Sequence, residues 1–218
     1  MKTSRDFFQV VVLHQRWLTG DVFEISFGRP AGFTFIPGQK VALAIHDISR
    51  QYTLINTPDA AELTICVRHV ATGSFTPLLV KAKVGETFAL SAASGFFTYQ
   101  SIKRKAVFVA TGTGIAPFLA FIRSGVRDFC CLHGAFDESG LLYRDEVAEA
   151  AGVYIPCLSA PESDGRFWSG RVTTYLEQHL AKDSYDFYLC GNGNMVRDTI
   201  RIIDLGFPDS RVFMETFF

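Results

Sequence analysis

An excess of charge of either sign is missing from this sequence: 21 lysines and arginines face 22 aspartates and glutamates, for a net charge of −1. Without a basic field there is nothing to hold a nucleic acid, and without a polybasic segment nothing to hold an anionic membrane surface. Long hydrophobic runs are missing too. No stretch is long enough to span a bilayer, and the start, Met1-Lys2-Thr3-Ser4-Arg5-Asp6, lacks the apolar core of a signal peptide. A cytoplasmic protein is expected. The five cysteines, Cys66, Cys130, Cys131, Cys157 and Cys190, are odd in number and form no C-x-x-C. Neither a disulfide framework, a zinc site nor a resident iron–sulfur cluster is expected from them. The five histidines are scattered and no G-x-S-x-G occurs, so no metal site and no hydrolase chemistry is expected.

What is present is apolar sequence in short pieces. Of the 218 residues 48% are apolar, enough for a buried core in one large domain or two of about 100 residues each. From Phe7 to about residue 100 the pieces read as strands between turns: Phe7 to Leu13, Asp21 to Phe27, Lys40 to Ile45, Arg50 to Asn56, Leu63 to Val70 and Thr87 to Ser91. That spacing, with one short helix beginning near Thr76-Pro77, predicts an antiparallel barrel or sandwich. After Ser101-Ile102-Lys103-Arg104-Lys105 strands alternate with helical segments. Strands are expected at Val107–Val109, 128–133, 153–158, 186–190 and 211–216, and helices at 117–123, 143–151, 171–181 and 195–205. Alternation of this kind predicts a parallel sheet with crossover helices, hence a second domain of α/β type.

The centre of the chain is Val107 to Phe118. A buried strand runs into Gly112-Thr113-Gly114-Ile115-Ala116-Pro117, where glycines permit a sharp turn and close backbone approach, and proline suits the first turn of a helix. Free amides at such a helix start bind phosphate or pyrophosphate. A second glycine turn, Cys190-Gly191-Asn192-Gly193, follows the fourth strand of this part, at the end of a parallel sheet where ligands bind. In the first part, Arg50-Gln51-Tyr52-Thr53 offers a phosphate clamp and an aromatic face, and Gly73-Ser74-Phe75-Thr76 offers amides and hydroxyls to an anion. Taken singly, each has a plainer account: a surface arginine on an edge strand, a Ser or Thr helix cap, a buried structural cysteine. The terminal Phe217 and Phe218 are either core or dimer packing, or a lid on a heterocycle beside Glu215.

In this order the motifs resemble the ferredoxin–NADP⁺ reductase-like flavoprotein superfamily over nearly the whole chain. R-x-Y-[ST] is matched by Arg50 to Thr53, G-x-x-[ST] by Gly73 to Thr76, G-T-G-I-A-P by Gly112 to Pro117, a C-G turn by Cys190-Gly191, and a terminal E-x-aromatic by Glu215 to Phe217. The resemblance implies an FAD-binding antiparallel β-barrel over residues 1–102, an NAD(P)-binding α/β domain over 103–218, and flavin in the cleft between them. It implies FAD held by Arg50, Gln51, Tyr52, Thr53, Val67 and Gly73 to Thr76. Tyr52 would stack on the flavin and Thr53 would place its hydroxyl near N5. The coenzyme's pyrophosphate would lie on Gly112, Thr113, Gly114, Ile115, Ala116 and Pro117, with Cys190 and Gly191 lining the nicotinamide pocket. Glu215 would assist proton chemistry, and Phe217 or Phe218 would cover the flavin until nicotinamide displaces it. Ser159 matches the serine of the NADP-type pattern, but Ala160-Pro161-Glu162 follows in place of its arginine. That departure leans to NADH, with Arg166 in reach of a 2′-phosphate. The implied function is electron transfer between NAD(P)H and a separate one-electron carrier such as ferredoxin or flavodoxin. The alternatives are a flavin reductase with dissociable flavin, or a flavin-bearing electron-transfer subunit.

Overall fold

The structure is a computed structural model that describes residues 7–100, 104–160 and 165–217. The chain forms two compact units: one takes the residues up to Tyr99 together with Leu119–Ser124, the other Gln100–Phe118 and Gly125 onward.

The first unit is a six-stranded antiparallel sheet. Its elements are β1 (Phe7–Trp17), β2 (Val22–Gly28), β3 (Lys40–Ile45), β4 (Ile48–Thr53), β5 (Glu62–Arg68), α1 (Thr76–Lys81) and β6 (Thr87–Ser91), in spatial order β4-β3-β6-β1-β2-β5. The two outer strands approach each other: beyond β4, Leu54 bridges Ile65 of β5, and Ile55 N–H donates to Thr64 O at 3.0 Å. The sheet is therefore a nearly closed barrel, which leaves few unpaired edges. β1 serves both sides. Phe7 to Val11 pair with β6, and Val12 to Trp17 pair with β2 across an irregularity between Val12 and His14. The barrel is filled by Val10, Val12, Phe23, Ile25, Phe27, Val41, Leu43, Leu63, Ile65, Phe88 and Leu90, and by Phe75 and Leu79 from the α1 region.

The sequence of β2 alternates polar and apolar residues, as a half-buried strand would, yet the strand is buried along most of its length. Ser26 is buried, its hydroxyl 2.8 Å from that of Thr64 on β5, which also accepts from Asn56 Nδ2 at 3.2 Å. A hydroxyl pair satisfies both groups, so a polar position can turn inward without an orphaned hydrogen bond.

The second unit is a parallel sheet flanked by helices. After β7 (Lys105–Thr111) come a 3-10 turn (Gly112–Ile115) and α2 (Ala116–Arg123), the helix that the division into units cuts. Then follow β8 (Cys130–Ala135), α3 (Arg144–Ala150), β9 (Val153–Leu158), β10 (Trp168–Ser169), α4 (Val172–His179), β11 (Tyr185–Asn192), α5 (Gly193–Gly206) and β12 (Arg211–Phe217). The strand order is β10-β9-β8-β7-β11-β12. Connections from β7 and β11 lead to opposite sides of the sheet, so their C-terminal ends form a topological switch point.

Parallel register assigns the two faces. Val107, Val109, Leu132, Cys157, Phe187 and Leu189 pack with Val172 and Leu176 of α4 and Val196 and Ile203 of α5. On the other face, Phe108 stacks on Phe118 (4.6 Å between centroids) and on Phe129 (4.4 Å), Tyr188 meets it edge-on at 5.5 Å, and Phe213 stacks on Tyr188 at 4.6 Å. No described helix is long and apolar enough to cross a membrane.

Candidate functional site

In the barrel, β4 and the loop before α1 bring two of the sequence motifs together. Arg50 is exposed on β4; its Nη1 donates to Ser49 O at 2.8 Å and its Nη2 to Ser74 Oγ at 3.4 Å. A guanidinium beside a hydroxyl is a fit to a phosphate oxygen pair. Thr76 is already engaged: its hydroxyl accepts from Val70 N–H at 2.9 Å and donates to Val70 O at 3.2 Å, closing the loop. The Ser/Thr helix cap weighed from the sequence does not form, because α1 begins after Phe75 with no side-chain cap. Phe75 itself is buried in the barrel, its ring 6.2 Å from that of Tyr52.

Tyr52 is half-buried, and burial pushes its phenol well above the usual range against the opposing effect of Arg50. The ring therefore offers a face and a neutral hydroxyl. Thr53, at the end of β4, is 3% exposed, and its Oγ1 has no hydrogen-bond partner among the described residues. Leaving a hydroxyl unsatisfied costs about 1–3 kcal/mol, which a ligand atom beside it would recover. Gln51 is exposed, and Val67 lies in the barrel core on β5. An arginine–serine pair, an aromatic face and an orphaned hydroxyl are what a flavin nucleotide requires, so this donor set fits FAD.

In the second unit the two glycine turns meet at the switch point. A Cβ on Gly114 would stand 2.3 Å from Cys190 O and 2.6 Å from Gly191 Cα. A Cβ on Gly191, whose φ is +139°, would stand 2.3 Å from Thr111 Oγ1. Only glycine permits this approach at either position. Thr111 Oγ1 also accepts from Asn192 N–H at 3.2 Å, tying the end of β7 to the end of β11. The 3-10 turn starts without a side-chain cap at Thr111, and Pro117 falls in the first turn of α2. The side chains of Ile115 and Ala116 are buried, so what the turn presents is backbone. Uncapped amides beside a close glycine contact fit a pyrophosphate.

The last strand completes this end of the sheet. Cys190, fully buried, is in register with Glu215, and Asn192 with Phe217; Glu215 and Phe217 are half-buried. Phe218, Pro161 and Glu162 lie outside the described residues. Ser159 follows β9, its N–H and hydroxyl both donating to Ala135 O, at 3.0 and 3.3 Å. Arg166 donates to Glu138 at 3.2 Å and lies over the ring of Phe167.

Several residues of this end were not singled out in the sequence. Thr111 precedes the glycines and reads only as the last residue of a strand. Asn192 is the N-cap of α5, its side chain accepting from Asn194 N–H at 2.9 Å; an Asn before a helix is a signal that could have found it. His133 is fully buried beside the β7 turn, with Nδ1 3.0 Å from the Tyr154 hydroxyl, and burial pushes its pKa down to about 4. Burial also pushes the Cys130 thiol up to about 11 and Cys157 up to about 12, so these remain protonated and unreactive.

Comparison with known proteins agrees with both halves of this geometry. The family described as oxidoreductase FAD-binding domain matches residues 10–99, and the oxidoreductase NAD-binding domain matches 108–201. The chain is 31% identical to ferredoxin–NADP reductase B of Sorangium cellulosum, over 96% of this chain and 97% of that protein. It is 28% identical to the toluate 1,2-dioxygenase electron transfer component of Pseudomonas putida, over 99% of this chain but 69% of that protein. A solved ferredoxin NADP⁺ reductase from Neisseria gonorrhoeae with bound FAD and NADP shares the fold with a TM-score of 0.86 at 23% identity, over 97% of this chain and 99% of that one. The chain thus belongs to the ferredoxin–NADP⁺ reductase-like family of oxidoreductases, which pair an FAD-binding barrel with an NAD-binding α/β domain.

Proposed function

We propose that this chain oxidises NAD(P)H through bound FAD and passes the electrons to a separate one-electron carrier, ferredoxin, flavodoxin or a relative of these. When bound, FAD supplies the chemistry that joins the two halves, since it accepts a hydride and releases electrons singly. The observation that carries the reading is the convergence in the barrel. Arg50 and Ser74, 24 residues apart, share a hydrogen bond, and the same strand goes on to the Tyr52 ring and to the Thr53 hydroxyl, which has no partner among the described residues.

The roles follow from the chemistry of each group. Arg50 and Ser74 hold the flavin pyrophosphate, with the amides of Gly73 to Thr76 around it. Tyr52 stacks on the isoalloxazine, and Thr53 offers its hydroxyl to the N5 edge. Gly112 to Pro117 bind the pyrophosphate of the coenzyme. Cys190 and Gly191 line the nicotinamide pocket, Glu215 holds or moves a proton, and Phe217 covers the flavin ring until nicotinamide takes its place. In this reading the protein contributes position and electrostatics. We assign the flavin part to residues 1–102 and the coenzyme part to 103–218, and place the protein in the cytoplasm, where NAD(P)H is held.

A second reading has specific support in the relative named as an electron transfer component of toluate 1,2-dioxygenase. In that reading the electrons of this chain go to an oxygenase component rather than to a free carrier. The first test is the visible spectrum of the purified protein, followed by anaerobic titration with NADH and with NADPH. Flavin bands bleached by one nucleotide support the reading. A colourless protein that takes up no added FAD overturns it. Bound flavin that neither nucleotide reduces leaves only electron transfer between protein partners.

A further inference from the structure

On the face of the second sheet that holds Phe108, side chains of β11 and β12 stand in matched pairs. Parallel register sets Asp186 beside Arg211, Tyr188 beside Phe213, Cys190 beside Glu215 and Asn192 beside Phe217. The lowest pair is closed by two charge-assisted bonds, at 2.7 and 2.8 Å. The next is closed by rings: Phe213 stacks on Tyr188 at 4.6 Å with 12° between the planes, and the Arg211 guanidinium lies 5.5 Å from the Phe213 ring. Tyr188 is fully buried, and its hydroxyl accepts from Gln100 N–H at 3.0 Å and donates to Gln100 O at 3.4 Å. The roles above use the two upper pairs and give Tyr188 no part.

β12 is an edge of this sheet, so among the described residues its ladder has a partner on one side only. On its other face Val212 packs into the core, whereas Met214 is 57% exposed. Each residue of a strand advances about 3.3 Å, and a slip of one residue carries every side chain to the opposite face. The ring of Phe213 therefore anchors the strand just before Glu215. A leucine in place of Tyr188 would fill space but leave that ring free to tilt. The paired bonds to Gln100 fix the Tyr188 ring, and with it the plane on which Phe213 lies. We propose that Tyr188 is a positioning residue: through Phe213 it holds Glu215 and Phe217 at the height that hydride transfer requires. The proposal rests on the reading that these two residues serve the flavin–nicotinamide step.

Position and binding separate here. A displacement near 1 Å at a reacting group costs up to about a hundredfold in rate. In the reading above, the coenzyme's pyrophosphate lies on the turn after β7, and β12 is two strands away from β7. Loss of the stack should therefore slow hydride transfer without weakening the grip on ADP-ribose. A merely structural role would lower both, together with the melting midpoint.

The test compares Phe213→Leu, Phe213→Tyr and Tyr188→Phe with the wild type, each as the flavin-loaded protein. Phe213→Leu should slow flavin reduction at saturating NAD(P)H by about tenfold in anaerobic stopped flow. Its affinity for ADP-ribose, by calorimetry, should be unchanged, and amides 214–217 should exchange faster in hydrogen-exchange mass spectrometry. Phe213→Tyr keeps a ring to stack, so it should restore both the rate and the protection. Tyr188→Phe keeps the stack but loses the bonds to Gln100, and should show a smaller loss of the same kind. Ile203→Val, packed on the opposite face of the sheet, is the control that lowers stability without slowing reduction. A Phe213→Leu or Tyr188→Phe protein that reduces at the wild-type rate, or that loses ADP-ribose affinity in step with the rate, would overturn the proposal and leave the coenzyme reading intact. If Glu215→Gln and Phe217→Leu also reduce at the wild-type rate, the roles given to those residues fall, and the proposal with them.

Discussion

Replacing Gly114 with alanine tests the switch point most directly. The added Cβ would lie 2.3 Å from Cys190 O, where ordinary contact begins near 3.4 Å. The obstacle is backbone, so no side chain can rotate away. Relief requires the ends of β7 and β11 to part by about 1 Å in a densely packed sheet. Overpacking of this kind costs about 1–3 kcal/mol. Gly114 sits in a helical turn without positive φ, so alanine returns about 0.5–1 kcal/mol through its better helix propensity and the reduced freedom of the unfolded chain. The net loss is up to about 2.5 kcal/mol, a fall of up to roughly 10 °C in the unfolding midpoint for a chain of this length. Binding of ADP-ribose should weaken by about tenfold or more, since misplacement near 1 Å disables a positioned site. Differential scanning calorimetry and isothermal titration read the two effects. Gly193→Ala is the control: it lies at the start of α5, with nothing within 4 Å of its added Cβ. If Gly114→Ala melts and binds as Gly193→Ala does, the close approach of the two turns is wrong.

Three further outcomes follow from other groups. Thr53→Val removes the orphaned hydroxyl at nearly constant volume, so the flavin-free protein should gain about 1 kcal/mol in urea denaturation, while reduction by NAD(P)H in stopped flow slows; a loss of stability would show that Oγ1 is satisfied. His133 stays neutral in the folded state down to about pH 4, whereas in the unfolded chain it takes a proton below about pH 6.5. Stability should therefore fall as pH drops from about 6.5 towards 4, by about 3 kcal/mol at most, and His133→Gln should flatten that slope in urea midpoints taken at pH 7, 5.5 and 4.5. A slope unchanged in the variant would assign the acid sensitivity elsewhere. Finally, buried Asp186 receives two bonds from Arg211, at 2.7 and 2.8 Å, with Arg104 at 4.0 Å. Arg211→Ala should strand that carboxylate and lower the melting midpoint by several degrees, and Asp186→Asn with Arg211→Ala should recover part of the loss.

Much of this architecture was legible because it is written in local pattern. Val107 to Pro117 reads as strand, turn and helix, and the structure has β7, the 3-10 turn and α2 in those places. Local pattern also ends where tertiary contact begins. β10 is two residues long, and only its register against Cys157 and Leu158 makes it a strand. β1 runs on to Trp17, past the expected Leu13, because β2 is there to pair with it. Closure of the barrel rests on Leu54 and Ile65, neither of which carries a motif. In the candidate sites, glycines and the arginine–tyrosine pair announce themselves by type. Thr111, Tyr188 and His133 are common residues whose importance lies in what the fold sets beside them. Charge pairs between loops, such as Glu138 with Arg166, have no sequence signature, since the spacing between their partners is arbitrary.

The divided pairing of β1 has a consequence for how the protein is made. Phe7 bonds opposite Ser91, and Val11 opposite Thr87, so the first strand completes its ladder only with residues near the end of the barrel. Such distant partners make the contact order of this unit high and its folding slow. During synthesis at about 5–20 residues per second, β1 and β2 must wait several seconds for β6 to emerge. In that interval the edge of β1 that receives β6 lies open, with Phe7 and Val11 already bare on its surface. The growing chain is then most exposed to pairing with another copy of itself, and slowing translation between residues 30 and 90 should raise aggregation more than slowing it afterwards.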